Sequence, residues 1–267
     1  MHPIERLRYV ARSSGGDQRM LARETAEAIA GLNLDPAGLV VVCRRIVERH
    51  PTSGVLWWLC STLLASANPF REAWALADFI EEDPTPNLLV RDLPDDATVC
   101  VVGWPDLVGE ALIRRGDINA LVIDSNAEGS RLVRRLQRLD VDVEAISAEG
   151  IGAAVAASDL VIVEATATSQ DGGLCALGSH AAAAVAYCNE TPVWMVAGRG
   201  RRLPDGLWSA MIARLDAAGP AWEQIVEPVA LGLMTAVLGA DGLVEPCAES
   251  LRAECPMAHE LLRSSAM

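Results

Sequence analysis

The sequence predicts an α/β fold with an N-terminal helical domain and a larger parallel-sheet domain. Two observations carry this. Apolar residues recur at helical spacing through residues 1–83, and from Ala97 onward short β-branched runs alternate with helical spans. A chain of 267 residues, 51% of them hydrophobic, has enough apolar surface to bury a proper core under such an arrangement.

Four helices are expected first. "DQRMLARETAEAIAGL" repeats apolar residues at helical spacing, and "DPAGLVVVCRRIVERH" opens with Asp-Pro, an entry signal. "TSGVLWWLCSTLLAS" and "NPFREAWALADFIEED" follow, with Thr or Asn as caps. Residues 84–97, "PTPNLLVRDLPDDA", are punctuated by proline and acidic residues and read as a connector. Residues 98–267 then form the α/β domain. Its strands are "TVCVVGW", "ALVIDS", "VDVEAIS", "DLVIVEAT" and "PVWMVAG", separated by helical spans such as "DLVGEALIRRG" and "SHAAAAVAYCNE". Continuous apolar strands joined by crossover helices imply a parallel sheet covered on both faces. The remainder is expected to add a helix or two and a closing strand or tail.

Composition excludes several functions. The net charge of −14 argues against a grip on phosphate backbones, so no nucleic-acid partner is expected. No apolar run is long enough to cross a bilayer and no cleavable leader opens the chain, which predicts a soluble, cytoplasmic protein with no membrane partner. The 7 cysteines are scattered in mostly apolar context and read as reduced core thiols. All 22 basic residues are arginine, which removes any Walker or Schiff-base lysine and leaves phosphate recognition to arginine or backbone amides. No cofactor is expected. A tail Cys255-x3-His259 pair is too few ligands for a structural zinc, so no metal is expected either.

Ligands of parallel sheets sit beyond the carboxyl ends of the strands. That rule selects Gly103 and Trp104, Asp124 to Gly129, Ser147 to Gly150, Thr166 to Ser179, and Gly198 to Arg202. In "SQDGGLCALGSH", Gly172 and Gly173 would make a tight turn, and Gly178 with Ser179 would open a helix whose free amides favour a phosphate or carboxylate. The same letters also suit a plain strand-to-helix link. The run "GRGRRLP" places Arg199, Arg201 and Arg202 on the ligand side, either as phosphate clamps or as a solvated loop.

The stretch "EAT…DGG…GS" (Glu164 to Thr166, Asp171 to Gly173, Gly178 and Ser179) resembles the translation initiation factor 2B alpha/beta/delta family, which includes methylthioribose-1-phosphate and ribose-1,5-bisphosphate isomerases. "RHPTSGVLWWL" is similar to that family's Arg-Pro-Thr helix opening, and "EPVALGLMTAVLGADGLVEP" to its closing segment. The resemblance implies a helical domain packed on a Rossmann-like sheet domain, a ligand pocket between them and a homodimer or higher homo-oligomer. It implies binding of a phosphorylated small molecule, for which the candidate residues are His50, Thr52, Gly103, Thr166, Gly172, Gly173, Gly178 and Ser179, with Arg199 and Arg201 added from the arginine run after the last strand. Arg12, near the family's N-terminal arginine motif, is a weaker candidate.

The isomerase acid and base positions differ. The family's aspartate is replaced by Thr166, and its cysteine maps onto Gly103 or Trp104, while Cys100 lies within the strand. A threonine hydroxyl cannot act as a carboxylate base. Two readings follow. One is a noncatalytic binding or regulatory protein, with a sugar phosphate, nucleotide or protein partner. The other is a diverged aldose-ketose isomerase using Asp171 or Glu164 with His180 or His50.

Overall fold

The computed structural model describes residues 18–32 and 34–263. Four helices lead: α1 Gln18–Ala30, α2 Pro36–Arg49, α3 Gly54–Ala65 and α4 Pro69–Glu81. Asp35 caps α2 by accepting from Gly38 N at 2.7 Å, and Asn68 caps α4 from Arg71 N at 3.3 Å. In both a proline follows, its missing N–H falling where no helical partner exists. Ser53, not Thr52, stands at the cap position before α3; its side chain makes no cap, and its Oγ donates to Gln18 Oε1 at 3.1 Å.

α3 is apolar on nearly every face and is correspondingly central, with Leu56, Trp57, Leu59 and Leu63 fully buried. Its core is shared. Ala167 and Leu174 of the sheet, Leu207 and Met211 from a later helix, and Ala258 and Leu261 of the tail all pack into it. Gly54 makes the docking possible, since a Cβ there would collide with the Thr166 carbonyl oxygen and Ala167.

The segment expected as a bare connector contains α5, Thr85–Asp92. Its prolines act as helix openers: Pro86 lies in the first turn, and Asp83 Oδ1 accepts from Thr85 N at 3.0 Å and Thr85 Oγ1 at 2.6 Å. Leu89 and Leu93 then pack against the sheet.

The sheet domain alternates as expected: β1 Thr98–Val102, α6 Asp106–Arg114, β2 Asn119–Ile123, α7 Gly129–Gln137, β3 Val143–Ile146, α8 Ile151–Ala156 and β4 Leu160–Ser169. There follow β5 Gly172–Ala176, α9 Ser179–Cys188, β6 Val193–Val196, α10 Asp205–Ala218, β7 Val226–Ala230, β8 Ala236–Gly239 and β9 Gly242–Val244. The main order is β3-β2-β1-β4-β6-β8-β9, parallel except for β9. β1 has β2 on one side and β4 on the other, so the direction of winding reverses there, where such sheets open a crevice.

β4 runs on to Ser169, past the end of the expected strand at Thr166. Its first half pairs with β1 and β6; its second half leaves them and pairs antiparallel with β5, which pairs with β7. The register shifts between Ala165 and Ala167, a bulge that places Thr166 at the bend. The expected tight turn at Gly172 and Gly173 is thereby corrected. The turn is made by Gln170 and Asp171, and the two glycines begin β5. A Cβ on Gly172 would strike the Val229 carbonyl oxygen, and one on Gly173 would press on Ala165 and Met195. They are glycine because three strands crowd together.

Among the described residues no helix is long and apolar enough to cross a membrane.

Candidate functional site

A cleft of about 330 Å³ opens at the carboxyl ends of β1 and β4, where the helical layer meets the sheet. Val102, Trp104, Pro105 and Asp106 come from the β1–α6 junction, and Glu164 and Thr166 from β4. The helical layer adds Gln18, Leu21, His50, Thr52 and Ser53, while α7 overlooks the opening with Glu128, Arg131 and Arg135.

The floor carboxylate is fully engaged. Glu164 accepts from the amides of Asp106, Leu107 and Val108 at 3.2, 2.8 and 3.0 Å, closing the N-terminus of α6. Its Oε1 also pairs with Arg201 Nη1 at 2.8 Å; the two side chains are 6% and 3% exposed. Arg201 donates further to the Ala165 carbonyl at 2.7 Å. Burial opposes the arginine's charge, and Glu164 more than compensates, so the guanidinium pKa is raised.

A second carboxylate closes the second helix. Gly178 takes φ +99°, a left-handed conformation suited to glycine, and directs the start of α9 at Glu227. Glu227 Oε1 accepts from Gly178 N at 2.7 Å and His180 N at 2.9 Å. The amides that the sequence offers to an external anion are thus held by the chain's own side chain. By contrast the first amides of α3, at Gly54, Val55 and Leu56, have no acceptor among the described residues, and Thr52 and Ser53 beside them line the cleft.

Of the residues expected at the site, His50, Thr52, Thr166 and Glu164 line the cleft. Thr166 Oγ1 donates to the Leu174 carbonyl at 3.1 Å. Gly103 lies between two lining residues without itself lining the cleft, and Gly172, Gly173, Gly178, Ser179, Asp171 and His180 do not line it either. Asp171 stands in the β4–β5 turn, and the exposed His180 ring is 3.4 Å from the Pro228 carbonyl. Arg199 points away, donating to the carbonyls of Phe79 and Glu82 at the end of α4 and lying over the Phe79 ring at 4.4 Å. Arg202 pairs with Glu254. Arg12 lies outside the described residues. Cys100 is buried in β1, which pushes its thiol up to about 12 and keeps it protonated at neutral pH.

The strand-end rule reaches Trp104 but not Arg131 and Arg135, which also line the cleft. The two arginines share one face of α7 at a spacing of four residues, and Arg131 lies over the Trp104 ring at 5.5 Å. Arg134 and Arg138 share that spacing and do not line the cleft, so the sequence carries no separate signal for the pair that does. Neither forms an ion pair with a carboxylate among the described residues.

A helical layer on a Rossmann-like sheet, with a cleft between them at the switch point, is the fold of the initiation factor 2B alpha, beta and delta-type proteins, and solved structures of those proteins match it. The translation initiation factor eIF-2B of Pyrococcus horikoshii OT3 is 16% identical and superposes with a TM-score of 0.75 over 91% of this chain and 97% of its own. The eIF2B beta subunit of Chaetomium thermophilum is 14% identical with a TM-score of 0.70, covering 99% of this chain and 93% of that one. A chain of the tetrameric eIF2B-beta2-delta2 complex of C. thermophilum gives 14% identity and 0.73, over 93% and 92% of the two chains. No family model and no curated protein matches the chain. Likeness at this identity establishes the fold, and function has to be argued from the site.

Proposed function

We propose that the chain is a noncatalytic initiation factor 2B-like binding protein, a regulatory homo-oligomer whose cleft takes a phosphorylated small molecule. The observation that carries the first half is the state of Glu164. An aldose-ketose shift needs a group that reaches the substrate carbon to remove a proton and return it. Glu164 is a carboxylate on the cleft floor, and both of its oxygens are already held by three amides and Arg201. Thr166, at the position of the family's aspartate, has committed its proton to a carbonyl. Of the other acid-base candidates, Asp171 and His180 do not line the cleft, whereas His50 does.

Binding is supported by what the cleft leaves open. Arg131 and Arg135 face it without carboxylate partners, and the uncapped N-terminus of α3 adds amides and a helix dipole beside Thr52. A phosphate between them would be met from two sides. An oligomer fits the exposed Trp222 (79%) and Tyr187 (66%), large aromatic surfaces of the kind that subunit contacts cover. It is also how one structural neighbour, the beta2-delta2 tetramer, is organised.

The reading is tested by incubating the purified protein with ribose 1,5-bisphosphate or methylthioribose 1-phosphate in D2O and following the sugar by NMR. No deuterium should enter at C2 and no ketose should form beyond the protein-free control. Ketose appearing in proportion to protein would overturn the noncatalytic assignment.

A further inference from the structure

α7 carries a run of positive charge that the fold does not neutralise. Arg131, Arg134 and Arg135 lie in the helix, and Arg138 follows at its C-cap with helical backbone angles. Offsets of three, four and seven residues put these arginines on one side of the helix, and all of them are exposed. The other side, Leu132, Val133 and Leu136, is buried in the sheet-domain core. No carboxylate among the described residues forms an ion pair with any of the arginines. Arg134 Nε donates to the Ser130 carbonyl of its own helix at 3.2 Å, and Arg131 lies over the Trp104 ring.

This arrangement works against the isolated helix. Like charges three or four residues apart repel, and Arg131 and Arg138 each stand at that distance from both Arg134 and Arg135. The helix dipole favours cations in the last turn, which accounts for Arg134, Arg135 and Arg138, but it opposes Arg131 in the first. Carboxylates are not scarce in a chain with 36 acidic residues against 22 basic ones, yet none is set against this face among the described residues. A repelling stripe left without counterions is suited to anions from outside.

The length of the stripe bounds the partner. Seven residues of helix span about 10 Å. A nucleic acid would run past the arginines onto the surface of a chain with a net charge of −14, whereas an acidic peptide segment of two turns ends where they end. Distant carboxylates oppose such a short segment little, because charge is felt over only about 8 Å at physiological salt. Guanidinium groups pair with carboxylates through two parallel hydrogen bonds. Leu139, the next residue, is 51% exposed and offers an apolar side chain of the segment a surface to cover.

We infer that the outer face of α7 is a docking site for an acidic segment of a partner protein, with carboxylates spaced i, i+3, i+4 and i+7. That spacing reads the same in both directions, so the segment fits parallel or antiparallel to α7. Arg134 and Arg138 do not line the cleft, so the site stands whether or not the cleft takes a phosphate.

The test is fluorescence anisotropy of the full chain with a labelled helical peptide carrying Glu at that spacing and leucine on either side. The peptide should bind saturably and more weakly as salt is raised, and its Gln counterpart should bind at least about tenfold more weakly. Arg134→Ser with Arg138→Ser should weaken the Glu peptide by about three- to tenfold, while Arg252→Ser, on the exposed tail, should leave it unchanged. The double variant should melt no lower than wild type, since most of the repelling pairs are gone. No saturable signal up to about 0.5 mM protein, equal binding of the Gln peptide, or an unchanged affinity in the double variant would overturn the site. A lower melting temperature of the double variant would overturn it too, by showing that the arginines serve the fold. An oligothymidylate of equal charge binding as tightly would overturn the assignment to a protein segment.

Discussion

Three helices present their N-termini at the crevice end of the sheet, and they are finished in different ways. Those of α6 and α9 are closed by carboxylates from distant strands, Glu164 and Glu227, whereas that of α3 has no side-chain cap. A helix start is a ready anion seat, and a chain can fill it as well as a ligand can. The protein has therefore internalised two of three anions, and the open seat is the one on the helical layer. The closed pair ties distant strands to α6 and α9, and the open one is the seat that the proposed phosphate would take.

The largest expected effect comes from breaking the closed pair at α6. Arg201→Ala removes the partner of the nearly buried Glu164 carboxylate, and breaking a buried ion pair from one side should cost about 3–5 kcal/mol in urea denaturation. Replacing both, Arg201→Met with Glu164→Gln, should recover most of that loss, since two charges no longer need compensation. A single variant within about 1 kcal/mol of wild type would show that the pair is not as dry as its geometry indicates.

Next in size is the seat of α3. Gly54→Val forces a side chain into the Thr166 carbonyl and Ala167, and overpacking of this kind typically costs about 1–3 kcal/mol. The bend of β4 and the cleft should loosen together, so ligand affinity should fall with stability. Unchanged stability would mean that helix and strand separate without cost.

Opening the seat at α9 should have a smaller effect. Glu227→Ala frees the Gly178 and His180 amides and should lose about 1 kcal/mol, the usual worth of a cap. Phosphate should then raise the melting temperature of this variant more than that of wild type. An equal phosphate response in both would mean that Glu227 blocks nothing.

Smallest of all is Asp117, on the surface loop before β2. Its carboxyl is held well below the usual carboxylate range, first by its hydrogen bond with Arg115 and then by the Asp96 amide. A lowered folded pKa gives stability that is present above the unfolded value, about pH 4, and is lost as pH falls through the folded one. Asp117→Asn should lower stability slightly at neutral pH, leave it unchanged at pH values below the folded pKa, and so flatten the acid side of the urea-denaturation profile; an unchanged acid slope would contradict this.

Most of the architecture was legible because it rests on periodicity. Helical spacing marked α1 to α4, and β-branched runs marked the parallel strands. α5 was hidden because Pro84, Pro86 and Pro94 look like loop punctuation until the Asp83 cap is seen. β5 was hidden because glycines rarely sit inside strands, and only the crowding by Val229 and Met195 explains them. At the site, His50, Thr52 and Thr166 were legible as motif positions. The fates of Arg199, Arg201 and Arg202 were not, since Asp83, Glu164 and Glu254, the carboxylates around them, lie 37 to 116 residues away in sequence. Arg131 and Arg135 looked like one solvated helix face, and nothing in a helix pattern tells which polar face overlooks a cleft.

The most direct test of the division between open and closed helix starts is a crystal structure of the wild-type chain grown in high phosphate. Density for a phosphate at the α3 amides beside Thr52 and Arg135, with Glu164 and Glu227 still on α6 and α9, is the predicted result. A phosphate that displaces either carboxylate, with the start of α3 left bare, would contradict it.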